Sequence, residues 1–89
     1  MQDRRVTLSQ NAIFQDIAGD GVILDLASAS YFGLDGVGVR FWKLLQEDGS
    51  LRRAHDALLA EYDVEPSLLE KDLDALVAQL AEAGLVTVE

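Results

Sequence analysis

The chain has 89 residues, 49% of them apolar, and a formal net charge of −9 from 16 acidic and 7 basic side chains. That length holds one hydrophobic core, so a single domain over residues 1–89 is expected. The acidic balance argues against nucleic acid and anionic membrane as partners, and the absence of cysteine excludes disulfides, thiol chemistry and cysteine metal sites.

The first ten residues, MQDRRVTLSQ, carry charges with no apolar stretch behind them, unlike a secretory signal. No apolar run approaches the roughly 20 residues that span a bilayer. The expectation is a protein of the bacterial cytoplasm.

Residues Ala12–Ile17 read as a first strand, and Gly19-Asp20-Gly21 as the tight turn after it. In the following GVILDL run, Val22, Leu24 and Leu26 fall on one face and Ile23 and Asp25 on the other. Ala27-Ser28-Ala29 makes the next turn. A third strand, Ser30–Leu34 (SYFGL), sends Phe32 and Leu34 one way and Tyr31 and Gly33 the other.

Helical patterning begins at Asp35, which has the chemistry of an N-cap. Val37, Phe41, Leu44 and Leu45 give a first apolar stripe, with Trp42 beside it. Asp48-Gly49 ends that helix, and Ser50 caps a second with Leu51, Ala54, Leu58 and Tyr62 on one face. Pro66 fits the first turn of a third helix, whose core stripe is Leu69, Leu73, Leu76, Val77 and Leu80. Gly84 stops it near Ala83, and Leu85–Val88 reads as a short strand or packed tail. The predicted fold is α+β and winged helix-turn-helix-like, a three-stranded antiparallel sheet followed by three helices.

Such a fold raises DNA binding, with the third helix in the major groove. That helix region carries Glu65, Glu70, Asp72, Asp74 and Glu82 against Lys71 alone, which opposes phosphate contact. The Arg52-Arg53 pair reads as a solvated helix face. Catalysis finds no better support. His55 is the only histidine, so no two-histidine metal site forms. Between Leu51 and Leu58 it reads as a half-buried boundary residue. Ser9, Ser28, Ser30, Ser50 and Ser67 occupy turn or cap positions. Gly36-Val37-Gly38 lacks the rest of a phosphate loop. No enzyme activity, cofactor or metal is expected.

Three features fit a binding module instead. The strand SYFGL has neither charge nor proline to blunt an open edge, and such an edge accepts an incoming peptide as a further strand. Gly33 suits a close backbone approach. Leu68, Asp72, Ala75 and Gln79 flank the core residue Leu76 with the mixed character of a groove wall.

The motifs GVILDL, SYFGLDGVGVRFWKLL and AEYDVEPSLLEKDLDALVAQLAEAGLV occur in this order from Gly21 to Val86. The second is the most specific, through Tyr31, Leu34, Asp35, Gly38, Phe41, Trp42, Leu44 and Leu45. The third contributes Tyr62-Asp63-Val64, Asp72, Leu76, Leu80 and Gly84-Leu85. Together they resemble the PqqD family, the RiPP recognition elements, which bind the leader segment of ribosomally made precursor peptides. Asp35 stands where the family usually has Asn, and Gly36-Val37 where Pro-Thr is common.

The resemblance implies that the leader adds as a strand to SYFGL and presses into a cleft against the third helix. The matching peptide-binding positions are Tyr31, Phe32, Gly33, Leu34, Asp72, Ala75, Leu76 and Gln79. It also implies a non-catalytic adaptor that delivers its peptide to a processing enzyme. The lasso-peptide type, with its leader peptidase and cyclase, is favoured over a chaperone of pyrroloquinoline quinone synthesis with a radical-SAM enzyme.

Overall fold

The structure, a computed structural model, describes residues 3–89. The elements run β1 (Val6–Leu8), β2 (Ala12–Ile17), β3 (Asp20–Asp25), β4 (Ser30–Leu34), α1 (Gly36–Glu47), α2 (Leu51–Glu61), α3 (Pro66–Glu82) and β5 (Val86–Val88). The expected three-stranded antiparallel sheet and three helices are present, in an α+β arrangement with sheet order β2-β3-β4. A second sheet, β1 against β5, was not foreseen at its β1 end. β1 also borrows from the α1–α2 turn, where Val6 N–H donates to the Gly49 carbonyl at 2.8 Å. Three residues of alternation are too few to announce a strand without that distant partner.

The β2–β3 turn is made by Ala18 and Gly19, with φ of 54° and 91°. Positive φ at both central residues is the hairpin geometry whose twist matches the strands. The expected turn Gly19-Asp20-Gly21 is therefore shifted, since Asp20 and Gly21 already belong to β3. Gly21 has a packing reason instead. A Cβ there would lie 2.6 Å from both Phe14 Cε1 and Val39 Cγ2, so the side chains of β2 and α1 close over its bare backbone.

Alternation along β3 holds, and the buried side is the one bearing Gly21, Ile23 and Asp25. Asp25 tolerates burial because its carboxylate accepts from Ala27 N–H at 3.1 Å and from the Ser28 hydroxyl at 2.8 Å, organising the next turn. Leu26 lies beyond the strand and is exposed.

Asp35 caps α1 and Ser50 caps α2 as expected, each side chain accepting an N–H three residues on. Glu65 caps α3 ahead of Pro66, and the Ser67 hydroxyl donating to its carboxylate holds that carboxyl below its ordinary range. The stripe on α1 is centred differently from expectation: Val39, Phe41, Trp42 and Leu45 are buried, whereas Val37 and Leu44 are only partly covered. Tyr62 is the C-cap of α2 and partly exposed, outside the core.

His55 corrects a further expectation. It is buried, 6% exposed, with Nε2 3.2 Å from the Pro66 carbonyl, a contact that ties α2 to the start of α3. The other ring nitrogen, Nδ1, lies 3.5 Å from the Asp56 carboxylate.

Trp42 is the largest fully buried side chain, within a cluster that includes Val6, Ile23, Phe41, Leu51, Leu58, Leu80 and Leu85. That cluster draws on both sheets and all three helices. Trp42→Ala is expected to lower unfolding free energy by about 3–5 kcal/mol in a denaturant titration. A loss under about 1 kcal/mol would mean that the neighbours collapse into the space.

Candidate functional site

Among the described residues, β4 is an edge strand, hydrogen-bonded to β3 and to no other strand. Which of its backbone groups are free follows from register. Ile17 and Asp20 flank the two-residue turn and so form a hydrogen-bonded pair. Alternation makes Gln15–Val22 and Ile13–Leu24 pairs of the same kind, and Leu26 N–H donates to the Asn11 carbonyl at 2.9 Å in the same phase. β3 therefore spends the backbone groups of Gly21, Ile23 and Asp25 on β4, opposite Leu34, Phe32 and Ser30. Tyr31 and Gly33 are left with N–H and C=O directed away from the sheet. Neither takes part in any turn, loop or cap hydrogen bond among the described residues.

A groove of about 400 Å³ lies along this edge, lined by residues of β4, the start of α1, the α2–α3 turn and α3. Of the sequence-predicted residues, Phe32, Gly33, Leu34, Asp72, Leu76 and Gln79 line it together. The spacing of the last three, four residues and then three, keeps them on one helix face. Leu68, singled out with that helix flank, lines the groove too and is 54% exposed.

Tyr31 and Ala75 fall outside the lining. Tyr31 is on the opposite face of β4 and is 76% exposed, as alternation with Phe32 requires. Ala75 is exposed on α3 one position before Leu76. Sequence reasoning did not assign Asp35, Val37, Gly38, Val64, Leu69 and Leu73 to the site. Val64 carried a usable signal, as an apolar residue between Asp63 and Glu65 in a turn. Gly38 carried another: a Cβ there would stand 3.1 Å from Leu34 Cδ2, so its bareness seats the end of β4 on α1.

The groove floor is apolar, and among the described residues that line it the ionic groups are two carboxylates, Asp35 and Asp72. Asp35 Oδ1 accepts from Gly38 N–H at 2.8 Å. The nearby cations of α1 are engaged elsewhere. Arg40 grips Glu61 through Nε–Oε1 and Nη2–Oε2, both 2.8 Å, and holds that carboxyl below its ordinary range. Lys43 Nζ donates to Asp16 at 3.1 Å. No group of three or more acidic, histidine or cysteine side chains among the described residues is placed to hold a metal ion. No helix among them is long and apolar enough to cross a membrane.

The family model for coenzyme PQQ synthesis protein D (PqqD) matches residues 20–86. Two solved structures are similar over nearly their whole length. One is described as TbiB1 in complex with the TbiA(beta) leader peptide, with TM-score 0.84, 36% identity, and coverage of 90% of this chain and 93% of that one. The other is described as lasso peptide synthetase B1 complexed with the leader peptide, with TM-score 0.82, 26% identity, and coverage of 93% and 98%. No curated protein matches. On the strength of a family match over most of its length, this chain belongs to the PqqD family.

Proposed function

We propose that this protein is a non-catalytic adaptor, one domain over residues 1–89, that binds the leader segment of a precursor peptide in lasso-peptide biosynthesis. The observation that carries this reading is the free β4 edge beside an apolar groove. An extended peptide laid against β4 pairs its backbone with Tyr31 and Gly33, which gives affinity tolerant of sequence. Its alternate side chains enter the groove between Phe32, Leu34 and the Asp72–Leu76–Gln79 face, which gives specificity. The two similar structures, both leader-peptide complexes, support the same reading.

Residues on both faces of β4 then have roles. Tyr31 contributes its backbone and, on the far face, a ring beside the peptide's outward side chains. Gly33 offers open space: apart from its own chain neighbours, no atom of the described residues lies within 4 Å of the position a Cβ would take. Ala75 borders the peptide at the rim of the α3 face. An adaptor also needs a surface for the enzyme that processes the peptide, such as a leader peptidase. The far face of the sheet exposes Ile13, Ile17 and Tyr31, with Leu26 just past the end of β3, apolar area apart from the groove.

Calorimetric titration with the leader half and the core half of a precursor peptide encoded beside the protein tests this directly. Saturable binding of the leader half alone is expected; preference for the core half, or for neither with the processing enzyme also present, would overturn the adaptor reading. Gly33→Val is expected to weaken leader binding while leaving unfolding free energy within about 1 kcal/mol of the parent. An equal loss of both would make Gly33 a folding requirement instead.

A further inference from the structure

Asp35 supplies more than the fold requires. Its Oδ1 caps α1 through Gly38 N–H, while Oδ2 has no hydrogen-bond partner among the described residues. Asparagine caps a helix as well as aspartate does, so the cap hydrogen bond does not need the negative charge, which the α1 N-terminus stabilises only in part. That charge lines the groove together with Asp72 of α3, which makes no side-chain hydrogen bond or ion pair among the described residues. Among the described residues, no Lys or Arg lines the groove. Lys71 adjoins Asp72 in sequence but lies about 100° round the helix and makes no ion pair among the described residues. Arg40 and Lys43 are held by Glu61 and Asp16.

An extended peptide seated in this groove displaces water from both carboxylates. Covering a carboxylate without a partner is unfavourable, and a cation placed against it offsets that cost. An acidic side chain at the same place would meet repulsion from Asp35 and Asp72 together, on a chain already at −9.

We propose that Asp35, together with Asp72, is a specificity determinant that selects a leader segment carrying a Lys or Arg side chain among the apolar side chains filling the groove. This rests on the peptide-binding reading above, and concerns which leaders are accepted.

The test uses the full chain and the synthetic leader half of the neighbouring precursor, titrated at low and high salt. Asp35→Asn keeps the cap, and Asp72→Asn is an independent variant on the helix side of the groove; thermal unfolding confirms that each is folded. At low salt each is expected to weaken leader binding about fivefold, the upper range for a partly exposed ion pair. The difference should shrink as salt rises. A leader whose Lys or Arg is replaced by Gln should bind the parent more weakly and show no further loss with Asp35→Asn. Leader binding that ignores both variants and salt would overturn the proposal and leave the adaptor reading intact. So would equal losses for the Gln-substituted leader, or a bound segment without Lys or Arg. Absence of leader binding would overturn both.

Discussion

An antiparallel sheet that stops at an uncovered strand leaves every second residue of that strand with an N–H and a C=O turned outward. Here those residues are Tyr31 and Gly33, and the phase is dictated from the far side of the sheet by the two-residue turn at Ala18-Gly19. Water can satisfy these groups, but a peptide backbone does so in a fixed direction and register. The same pleat that turns the Tyr31 and Gly33 backbones outward turns the Phe32 and Leu34 side chains toward the groove. Backbone capture and side-chain selection are thus two consequences of one strand geometry.

Keeping that edge available depends on parts of the chain far from it. α3 packs on α2 and β5, leaving the groove between its Leu68–Gln79 face and β4. β5 is fixed by β1, and β1 in turn by Gly49 and Ser50 in the α1–α2 turn. His55 holds the beginning of α3 by its contact with the Pro66 carbonyl. At the other wall, β4 runs straight into α1, with Asp35 serving as the cap and Gly38 admitting Leu34. Both walls are therefore anchored in one core that includes Trp42, Phe41, Leu34, Leu69 and Leu73.

Local chemistry made much of this legible in the sequence. Alternation in SYFGL separates Phe32 and Leu34 from Tyr31 and Gly33, and the caps Asp35 and Ser50 and the stop at Gly84 bound the helices. What local pattern could not supply was any choice made by distant partners. β1 exists through β5 and Gly49. The inward face of β3 was decided by Phe14 and Val39 closing over Gly21, and by turn hydrogen bonds that make a buried Asp25 acceptable. Half of the groove came from the strand and helix faces expected to form it. Of the remainder, Asp35, Val37, Gly38 and Val64 lie at the start of α1 and in the α2–α3 turn, which only the assembled chain brings beside β4, whereas Leu69 and Leu73 were read as core stripe alone and border the groove as well.

The most direct test of strand addition is amide hydrogen exchange along β4, residue by residue, with and without the leader peptide. In the free protein the Phe32 and Leu34 amides should be slow and those of Tyr31 and Gly33 fast, since only the first pair is bonded to β3. With leader bound, Tyr31 and Gly33 should become protected while Phe32 and Leu34 change little. A leader that binds and leaves Tyr31 and Gly33 unprotected would contradict the account, because the peptide would then be held by the groove without joining the sheet.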